Sequence, residues 1–209
     1  MPITSSHVAK LLKLLRMWSF ALVPFFIIVV VFFILYRGLS VDPRDLAASG
    51  AVDKPIPTVR LSNLYQWNTF INSQDLQPVE SPIGNWYLMN VWATWCTNCQ
   101  NEHPFLMDLA RQGIVIYGID YRDTLKNGQD WLTKYGNPYR LVLWDGRGVG
   151  VFKWGVYSVP ETFLVDPDGM IRFQQAGPLT AQLWNQQWLP FIQEQNKLRK
   201  ASALSAGLS

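Results

Sequence analysis

The stretch WATWCTNC at residues 92–99 contains both cysteines of the chain, Cys96 and Cys99, with two residues between them. It follows an apolar segment, Trp86 to Val91, that is typical of a strand, and it precedes a segment that is typical of a helix. The first turn of a helix stabilises a thiolate through its unpaired N–H groups and its dipole. The sequence therefore predicts a solvent-reachable, redox-active dithiol in which Cys96 attacks and Cys99 resolves the mixed disulfide.

Three other roles are open to these cysteines: a structural disulfide, a zinc site and haem attachment. A bridge across so short a loop stabilises a fold by only about 2 kcal/mol, which is a weak use of two cysteines. A zinc site usually needs four nitrogen or sulfur ligands, and the only histidines are His7 and His103. Gln100 stands where the haem-attachment motif requires histidine. Redox exchange is favoured, and a structural disulfide or a metal site remains the alternative.

The segment from Met17 to Tyr36 contains no charged residue, and as a helix it would be about 30 Å long, the thickness of one hydrocarbon core. A cleaved signal peptide is the alternative, but residues 37–40 offer no small-residue cleavage pattern. Lys10, Lys13 and Arg16 precede the segment, so the positive-inside rule predicts a cytoplasmic N-terminus. We expect a retained anchor with the remainder of the chain outside the cytoplasm.

Five regions follow from this reading of the chain. They are a cytoplasmic tail at 1–16, a transmembrane anchor at 17–36, a linker at 37–57, a globular domain at 58–200 and a flexible C-terminal tail at 201–209. In a bacterial inner membrane protein, the globular domain would be periplasmic, where disulfides form readily. Three of the 18 basic residues and none of the 15 acidic ones lie in the cytoplasmic tail, so the remainder is formally neutral. This balance argues against binding to nucleic acid.

The pattern of apolar runs and turn residues predicts an α/β domain. The expected elements are lead-in strands at Val59–Leu64 and Thr69–Ile71, a helix at Cys96–Arg111 with a kink at Pro104, a strand at Ile114–Ile119, a helix at Thr124–Tyr135 capped by Asp123, a strand at Arg140–Trp144, two antiparallel strands at Thr162–Val165 and Ile171–Gln175, and a helix at Thr180–Leu198. This order predicts a mixed central sheet flanked by helices, which is the order of a thioredoxin fold with an insertion.

Two motifs together give the chain a family resemblance. The WCTNC motif at residues 95–99 resembles the thioredoxin superfamily, and GVYSVPETFLVD at residues 155–166 narrows the match. The chain resembles the DsbE/CcmG family, the membrane-anchored thiol:disulfide interchange proteins of cytochrome c maturation. The resemblance covers about Met17 to Phe191. Thr97 and Asn98 depart from the family, in which proline often follows the first cysteine.

The resemblance implies roles for residues around the dithiol. Pro160 would be a cis-proline facing the cysteines, and the backbone of Val159 and Pro160 would pair with an extended substrate peptide. Glu102 and Glu161 match family carboxylates, and a partly buried carboxylate near a dithiol could accept the proton released during exchange. Surface charges without a role in the chemistry are the alternative for both. Trp95 would contact substrate beside the dithiol or merely shield the core.

The resemblance also implies a function and partners. Cys96 would attack a disulfide of an apocytochrome c, or of another cytochrome c maturation protein, and Cys99 would release it in reduced form. A transmembrane thiol reductase of the DsbD/CcdA type would supply electrons, and no bound cofactor would be needed because the cysteines carry them. Nothing in the sequence demands more than a monomer. A general periplasmic disulfide oxidase or isomerase, and a non-catalytic docking scaffold of the haem-assembly machinery, are the alternatives.

Overall fold

The computed structural model describes residues 23–34, 50–76 and 80–206. The chain divides into two units, Met1–Asp45 and Leu46–Ser209. In the first unit the described residues form one helix, α1, at 23–34. No helix within the described residues has the length and apolarity needed to span a membrane. The remainder of the segment expected to be an anchor, and most of the expected linker, lie outside the described residues.

The second unit contains a sheet of seven strands in the order β2-β1-β5-β4-β3-β6-β7. The strands are β1 (Arg60–Asn63), β2 (Phe70–Asn72), β3 (Tyr87–Trp92), β4 (Ile116–Tyr121), β5 (Leu141–Asp145), β6 (Glu161–Val165) and β7 (Ile171–Ala176). The pairs β3–β4 and β4–β5 are parallel, and every other pair is antiparallel. The structure therefore confirms the predicted mixed sheet.

Helices follow the strands along the chain. They are α2 (Thr97–Arg111), α3 (Leu125–Tyr135), the short α4 (Val149–Phe152), and a C-terminal run made of α5 (Ala181–Leu183), a π-helical turn (Trp184–Trp188) and α6 (Leu189–Ala206). The C-terminal helix thus continues to Ala206, beyond the predicted end at Leu198. The sequence did not predict α4, whose four residues are too few for a periodic pattern to emerge.

The core lies on both faces of the central strands. Every residue of β3 and of β4 is buried, as expected for parallel strands that are covered on both sides. Side chains alternate along β3, so Leu88 and Trp92 pack in one apolar cluster with residues of α2, α3 and α6. Met89 and Val91 pack in the other cluster, which includes residues of α4. The dithiol belongs to the first cluster.

The start of α3 differs from the prediction. Thr124, and not Asp123, is the N-cap, and its hydroxyl accepts a hydrogen bond from the N–H of Asn127 at 3.2 Å. One oxygen of Asp123 accepts hydrogen bonds from the backbone and the hydroxyl of Thr94, and its other oxygen accepts from the N–H of Thr124 at 2.8 Å and from the side-chain amide of Asn127 at 3.1 Å. The cap prediction was wrong because Asp123 takes a partner 29 residues earlier in the chain.

The turn at residues 166–169 forms as predicted and makes β6 and β7 an antiparallel hairpin. One oxygen of Asp166 accepts hydrogen bonds from the N–H groups of Asp168 and Met170, both at 2.9 Å. Its other oxygen pairs with Arg172 at 2.8 Å and with Arg199 of α6 at 3.3 Å. A buried carboxylate therefore joins the hairpin to the C-terminal helix.

Gly128 provides a test of how closely α3 approaches the sheet. A methyl group at this position would overlap a carboxyl oxygen of Asp120 on β4 and would meet Leu64 at 3.2 Å. We expect Gly128→Ala to destabilise the domain by about 1–3 kcal/mol in urea unfolding, although alanine is the better helix former by about 1 kcal/mol. Thr133→Ala, at an exposed position of the same helix, should change stability by less than about 0.5 kcal/mol. A Gly128→Ala protein as stable as the wild type would contradict this packing.

Candidate active site

The two cysteines lie at the start of α2, where the sequence predicts them. Cys96 is the N-cap residue, Cys99 lies in the first turn, and the two are joined as a disulfide. The sulfur of Cys96 accepts a hydrogen bond from the backbone N–H of Cys99 at 3.1 Å. In the reduced protein the same N–H and the helix dipole favour a thiolate on Cys96. The geometry suits Cys96 to the attacking role and Cys99 to the resolving role.

The loop between β3 and α2 is held by the loop that follows β4. Because β3 and β4 are parallel neighbours, these two loops leave the same edge of the sheet side by side. The backbone N–H of Thr94 donates to Asp123 at 2.9 Å, and the indole N–H of Trp95 donates to the carbonyl of Arg122 at 3.1 Å. These bonds fix the residues that immediately precede Cys96.

The loop before β6 covers the dithiol from the other side. The peptide bond between Val159 and Pro160 is cis, which confirms the geometry that the family resemblance implies. The carbonyl oxygen of Val159 lies 3.4 Å from the sulfur of Cys96. The two residues are thus placed beside the attacking sulfur, and their role in holding a substrate peptide stays a prediction.

The sulfur pair is less accessible than the sequence suggests. Cys96 is 6% exposed and Cys99 is 3% exposed, because the loop before β6 and the apolar core surround them. Trp95 is 57% exposed, and Thr97 and Asn98 are exposed as well. A substrate sulfur must therefore approach Cys96 along this open side.

Glu102 lies one helical turn after Cys99, so the two side chains share a face of α2. One carboxyl oxygen accepts a hydrogen bond from the side-chain amide of Asn90 at 2.9 Å, and the other accepts one from the N–H of Leu179 at 2.8 Å. The residue is buried, and burial raises the pKa of its carboxyl to about 7. The reading of Glu102 as a surface charge is wrong.

Asn90 connects Glu102 to two residues that sequence reasoning missed. Its amide also donates to the hydroxyl of Thr162 at 2.9 Å, and its carbonyl accepts a hydrogen bond from the hydroxyl of Tyr139 at 2.8 Å. Tyr139 stacks on Trp92 with ring centres 5.6 Å apart, and burial raises the pKa of its phenol well above the usual value. A buried polar network thus joins Glu102 on α2 to Asn90 on β3, Thr162 on β6 and Tyr139 before β5. A polar Asn90 within an apolar strand was the only sequence signal for it.

Glu161 is also buried, as the first residue of β6 and the register partner of Val91 on β3. Its carboxyl accepts a hydrogen bond from the side-chain amide of Gln174 on the adjacent strand β7. Burial raises the pKa of Glu161 to about 7. The alternative of an exposed edge charge is wrong for this residue too.

A third buried acid, Asp120, was not predicted. It is the register partner of Trp92 across β3 and β4 and is 0% exposed. Neither of its carboxyl oxygens, nor the indole N–H of Trp92, has a hydrogen-bond partner among the described residues. Burial, together with the nearby charge of Asp123, raises the pKa of Asp120 to about 8. An acid in the run IVIYGID, which otherwise reads as a buried strand, was its only signal in the sequence.

His103 has a packing role in the structure. Its ring meets Trp131 edge-on at 4.4 Å, its Nε2 lies 3.3 Å from the carbonyl of Tyr135, and burial lowers the pKa of its imidazole. Within the part of the chain that the structure describes, no three His, Cys, Asp or Glu side chains are grouped as a metal site would require.

The cysteine pair at a helix start, the cis-proline beside it and the mixed sheet define a thioredoxin-like thiol:disulfide oxidoreductase. Residues 52–174 match the model of the AhpC/TSA family. The thiol:disulfide interchange protein DsbE of Yersinia pestis is 39% identical over 174 residues, covering 83% of this chain and 90% of that protein. The DsbE protein of Escherichia coli K12 is 39% identical over 156 residues, covering 75% of this chain and 81% of that protein. The chain therefore belongs to the DsbE family of thiol:disulfide interchange proteins.

Solved structures agree on the fold. The thioredoxin domain of a thiol-disulfide oxidoreductase from Bacteroides vulgatus matches with a TM-score of 0.53 and 19% identity, covering 66% of this chain and 96% of that one. The C-terminal domain of a putative thiol-disulfide oxidoreductase from Bacteroides thetaiotaomicron matches with a TM-score of 0.53 and 17% identity, covering 68% and 97% of the two chains. These similarities confirm the predicted thioredoxin-like fold.

Substitution of Glu102 tests its part in proton transfer. A carboxyl with a pKa of about 7 accepts a proton from Cys99 only above that pH, so we expect a component near pH 7 in the rate at which the reduced protein reacts with hydroxyethyl disulfide. Glu102→Gln should lose this component and react roughly tenfold more slowly at pH 8. Glu194→Gln, which removes an exposed carboxylate of α6, should keep the wild-type profile. Identical profiles for Glu102→Gln and wild type would remove Glu102 from the mechanism.

Substitution of Asp120 tests the effect of its burial on stability. The folded protein holds a proton on Asp120 up to a pH of about 8, whereas the ordinary pKa is 3.8, so unfolding releases a proton between these values. The free energy of unfolding should therefore fall as pH rises through this window, by up to about 1.4 kcal/mol per pH unit for this group. In urea unfolding, Asp120→Asn should gain stability relative to wild type from pH 5 to pH 8 and then level off. The exposed Asp130→Asn should show no such gain, and a constant difference for Asp120→Asn would contradict the assignment.

Proposed function

We propose that this chain is a membrane-tethered reductant that reduces the disulfide of an apocytochrome c, or of a maturation protein that carries its thiols, before haem is attached. The observation that carries the proposal is the Cys96–Cys99 pair at the start of α2, with Val159 and Pro160 beside the attacking sulfur. The relatives are named as thiol:disulfide interchange proteins. The link to cytochrome c rests on the DsbE/CcmG resemblance of the motifs around the dithiol.

The exchange proceeds in two displacements. The Cys96 thiolate attacks one sulfur of the substrate disulfide, the substrate S–S bond breaks, and the other substrate sulfur leaves as a thiolate and takes up a proton. The thiol of Cys99 then loses its proton and attacks the sulfur of Cys96, which releases the second substrate thiolate. Two electrons have then passed to the substrate, whose released thiolates take up protons from water, and Cys96 and Cys99 are joined. Glu102, one helical turn after Cys99 on the same face of α2, would accept the proton from Cys99.

The exposed side of the dithiol suits an extended peptide. Val159 and Pro160 lie on one side of Cys96, and the exposed ring of Trp95 lies on the other. Backbone pairing with Val159 would align the peptide, and Trp95 would supply apolar contact area. The low exposure of Cys96 favours a substrate whose disulfide is itself held in an open, extended segment.

Tethering and electron supply complete the proposal. The uncharged segment at 17–36 would anchor the chain in a bacterial inner membrane, with residues 1–16 in the cytoplasm and the dithiol in the periplasm. One dithiol delivers two electrons and is then spent as a reductant, so an outside donor must restore it. A transmembrane thiol reductase of the DsbD/CcdA type fits this need. The cycle requires no bound cofactor and no second copy of the chain.

Trapping the partner tests this function. Because Cys99 resolves the intermediate, we expect a Cys99→Ser chain to accumulate in cells as a mixed disulfide through Cys96, which reductant releases and mass spectrometry identifies. Cys96→Ser is the matched control and should trap nothing. The trapped partner should be an apocytochrome c or a cytochrome c maturation protein. A broad set of exported proteins would indicate a general oxidase or isomerase instead, and normal c-type cytochromes in Cys96→Ser cells without added thiols would indicate a scaffold.

A further inference from the structure

A cleft of about 570 Å³ opens at the end of the sheet that carries the dithiol. It is lined by β1, by the residues that follow β5 and by α4. Trp144 and Phe70 provide apolar wall, and three cationic residues, Arg60, Arg147 and Lys153, line it as well. We call this feature the basic cleft.

The cations of the basic cleft are available to a ligand. Arg60, Arg147 and Lys153 are exposed, and none of them takes part in an ion pair among residues 23–34, 50–76 and 80–206. The guanidinium of Arg60 lies over the ring of Phe70 at 4.9 Å. Arg122 is also exposed and takes part in no ion pair in this part of the chain. Its side chain lies close to the cleft, because a methyl group at the neighbouring Gly148 would meet it at 2.7 Å.

Asp145 and Asp123, two of the acids at this end of the sheet, face inward, whereas Asp75, three residues after the register partner of Arg60, is exposed. Both oxygens of Asp145 accept backbone hydrogen bonds, from Val149 at 3.1 Å and from Val151 at 2.9 Å. Asp123 is buried and holds Thr94. Four exposed cations, Arg60, Arg122, Arg147 and Lys153, thus outnumber the exposed Asp75 at this end of the sheet, although the chain beyond residue 16 is formally neutral.

The basic cleft is coupled to the dithiol through hydrogen bonds. The indole N–H of Trp144 donates to the carbonyl of Asp123 at 2.8 Å, and the N–H of Arg122 donates to the carbonyl of Asp145 at 3.0 Å. Arg122 in turn accepts the bond from Trp95, next to Cys96. The carboxyl ends of the parallel strands β3, β4 and β5 lie at this same end of the sheet. Because neighbouring strands are about 5 Å apart, β5 lies about 10 Å from β3.

We propose that the basic cleft docks an acidic segment of the protein whose disulfide Cys96 exchanges. This inference rests on the proposed exchange at Cys96 and adds the chemistry of the partner. An extended chain advances about 3.3 Å per residue, so Asp or Glu residues about three to five positions from the attacked cysteine would reach Arg147 and Lys153. Attraction between such a segment and the unpaired cations raises the rate of encounter and fixes the orientation of the substrate disulfide.

Two matched synthetic peptides test the proposal. Each peptide carries an internal disulfide between two cysteines that are separated by two residues. A run of three residues, centred four positions from the nearer cysteine, consists of Asp in one peptide and of Ser in the other. To correct for the intrinsic reactivity of each disulfide, the rate with the protein is divided by the rate at which dithiothreitol reduces the same peptide. At low ionic strength the reduced full-length chain should then reduce the Asp peptide about tenfold faster than the Ser peptide. The preference should shrink towards one in about 1 M salt, where charges are screened within about 3 Å.

Charge reversal locates the preference. In Arg147→Glu/Lys153→Glu the ratio of the Asp rate to the Ser rate should fall to about one or below. Lys197→Glu/Lys200→Glu, with the same change of charge on exposed positions of α6, should keep the tenfold ratio. Equal rates for the two peptides with wild type, or equal losses of preference in both variants, would overturn the proposal while leaving the exchange function intact. Failure to reduce either peptide would reject the exchange function, and this inference with it.

Discussion

The central position of β3 is the constraint on which the site depends. This strand pairs in parallel with β4 and antiparallel with β6, so its carboxyl end lies between the end of one neighbour and the beginning of the other. The loop after β4 supplies Arg122 and Asp123, which hold the residues before Cys96. The segment before β6 supplies the cis-proline. The start of α2 then places the cysteines where all three loops meet, and a shift of β3 by one residue would turn its side chains to the opposite face and separate them.

The acids around the dithiol share one property: each is buried, and burial favours the neutral carboxylic acid over the carboxylate. Glu102 and Glu161 have pKa values near 7, and Asp120 has a pKa near 8, in every case mainly because burial removes water from the carboxyl. Such groups reduce the free energy of unfolding as pH rises. For Glu102 the proposed exchange offers a reason for such burial, because a carboxyl with a pKa near 7, one helical turn after Cys99, could take up the proton that Cys99 releases.

Local patterns in the sequence predicted what depends on local structure. The cysteine spacing, the apolar run before it and the DPDG turn were sufficient for the dithiol at a helix start and for the β6–β7 hairpin. The network around Asn90 could not be predicted in this way, because its partners Tyr139 and Thr162 lie 49 and 72 residues further along the chain. The wrong cap at α3 has the same cause, since a tertiary contact to Thr94 overrode the local preference of Asp123. The family resemblance identified Glu102 and Pro160 as site residues. The raised pKa of Glu102 could not be predicted, because it depends on burial, and the sequence around a single acidic residue does not show whether that residue is buried.

The charge states of the site and of the basic cleft are mutually consistent. An acidic segment could not approach the dithiol easily if Glu102, Glu161 and Asp120 were all ionised, since three anions would oppose the cations at the same end of the sheet. Their raised pKa values keep much of that charge neutral near pH 7. Two other acids at this end of the sheet, Asp123 and Asp145, are turned inward onto hydrogen-bond donors. Burial of these carboxyls therefore has two effects: it raises their pKa values towards neutral pH, and it reduces the negative charge that would oppose the exposed cations.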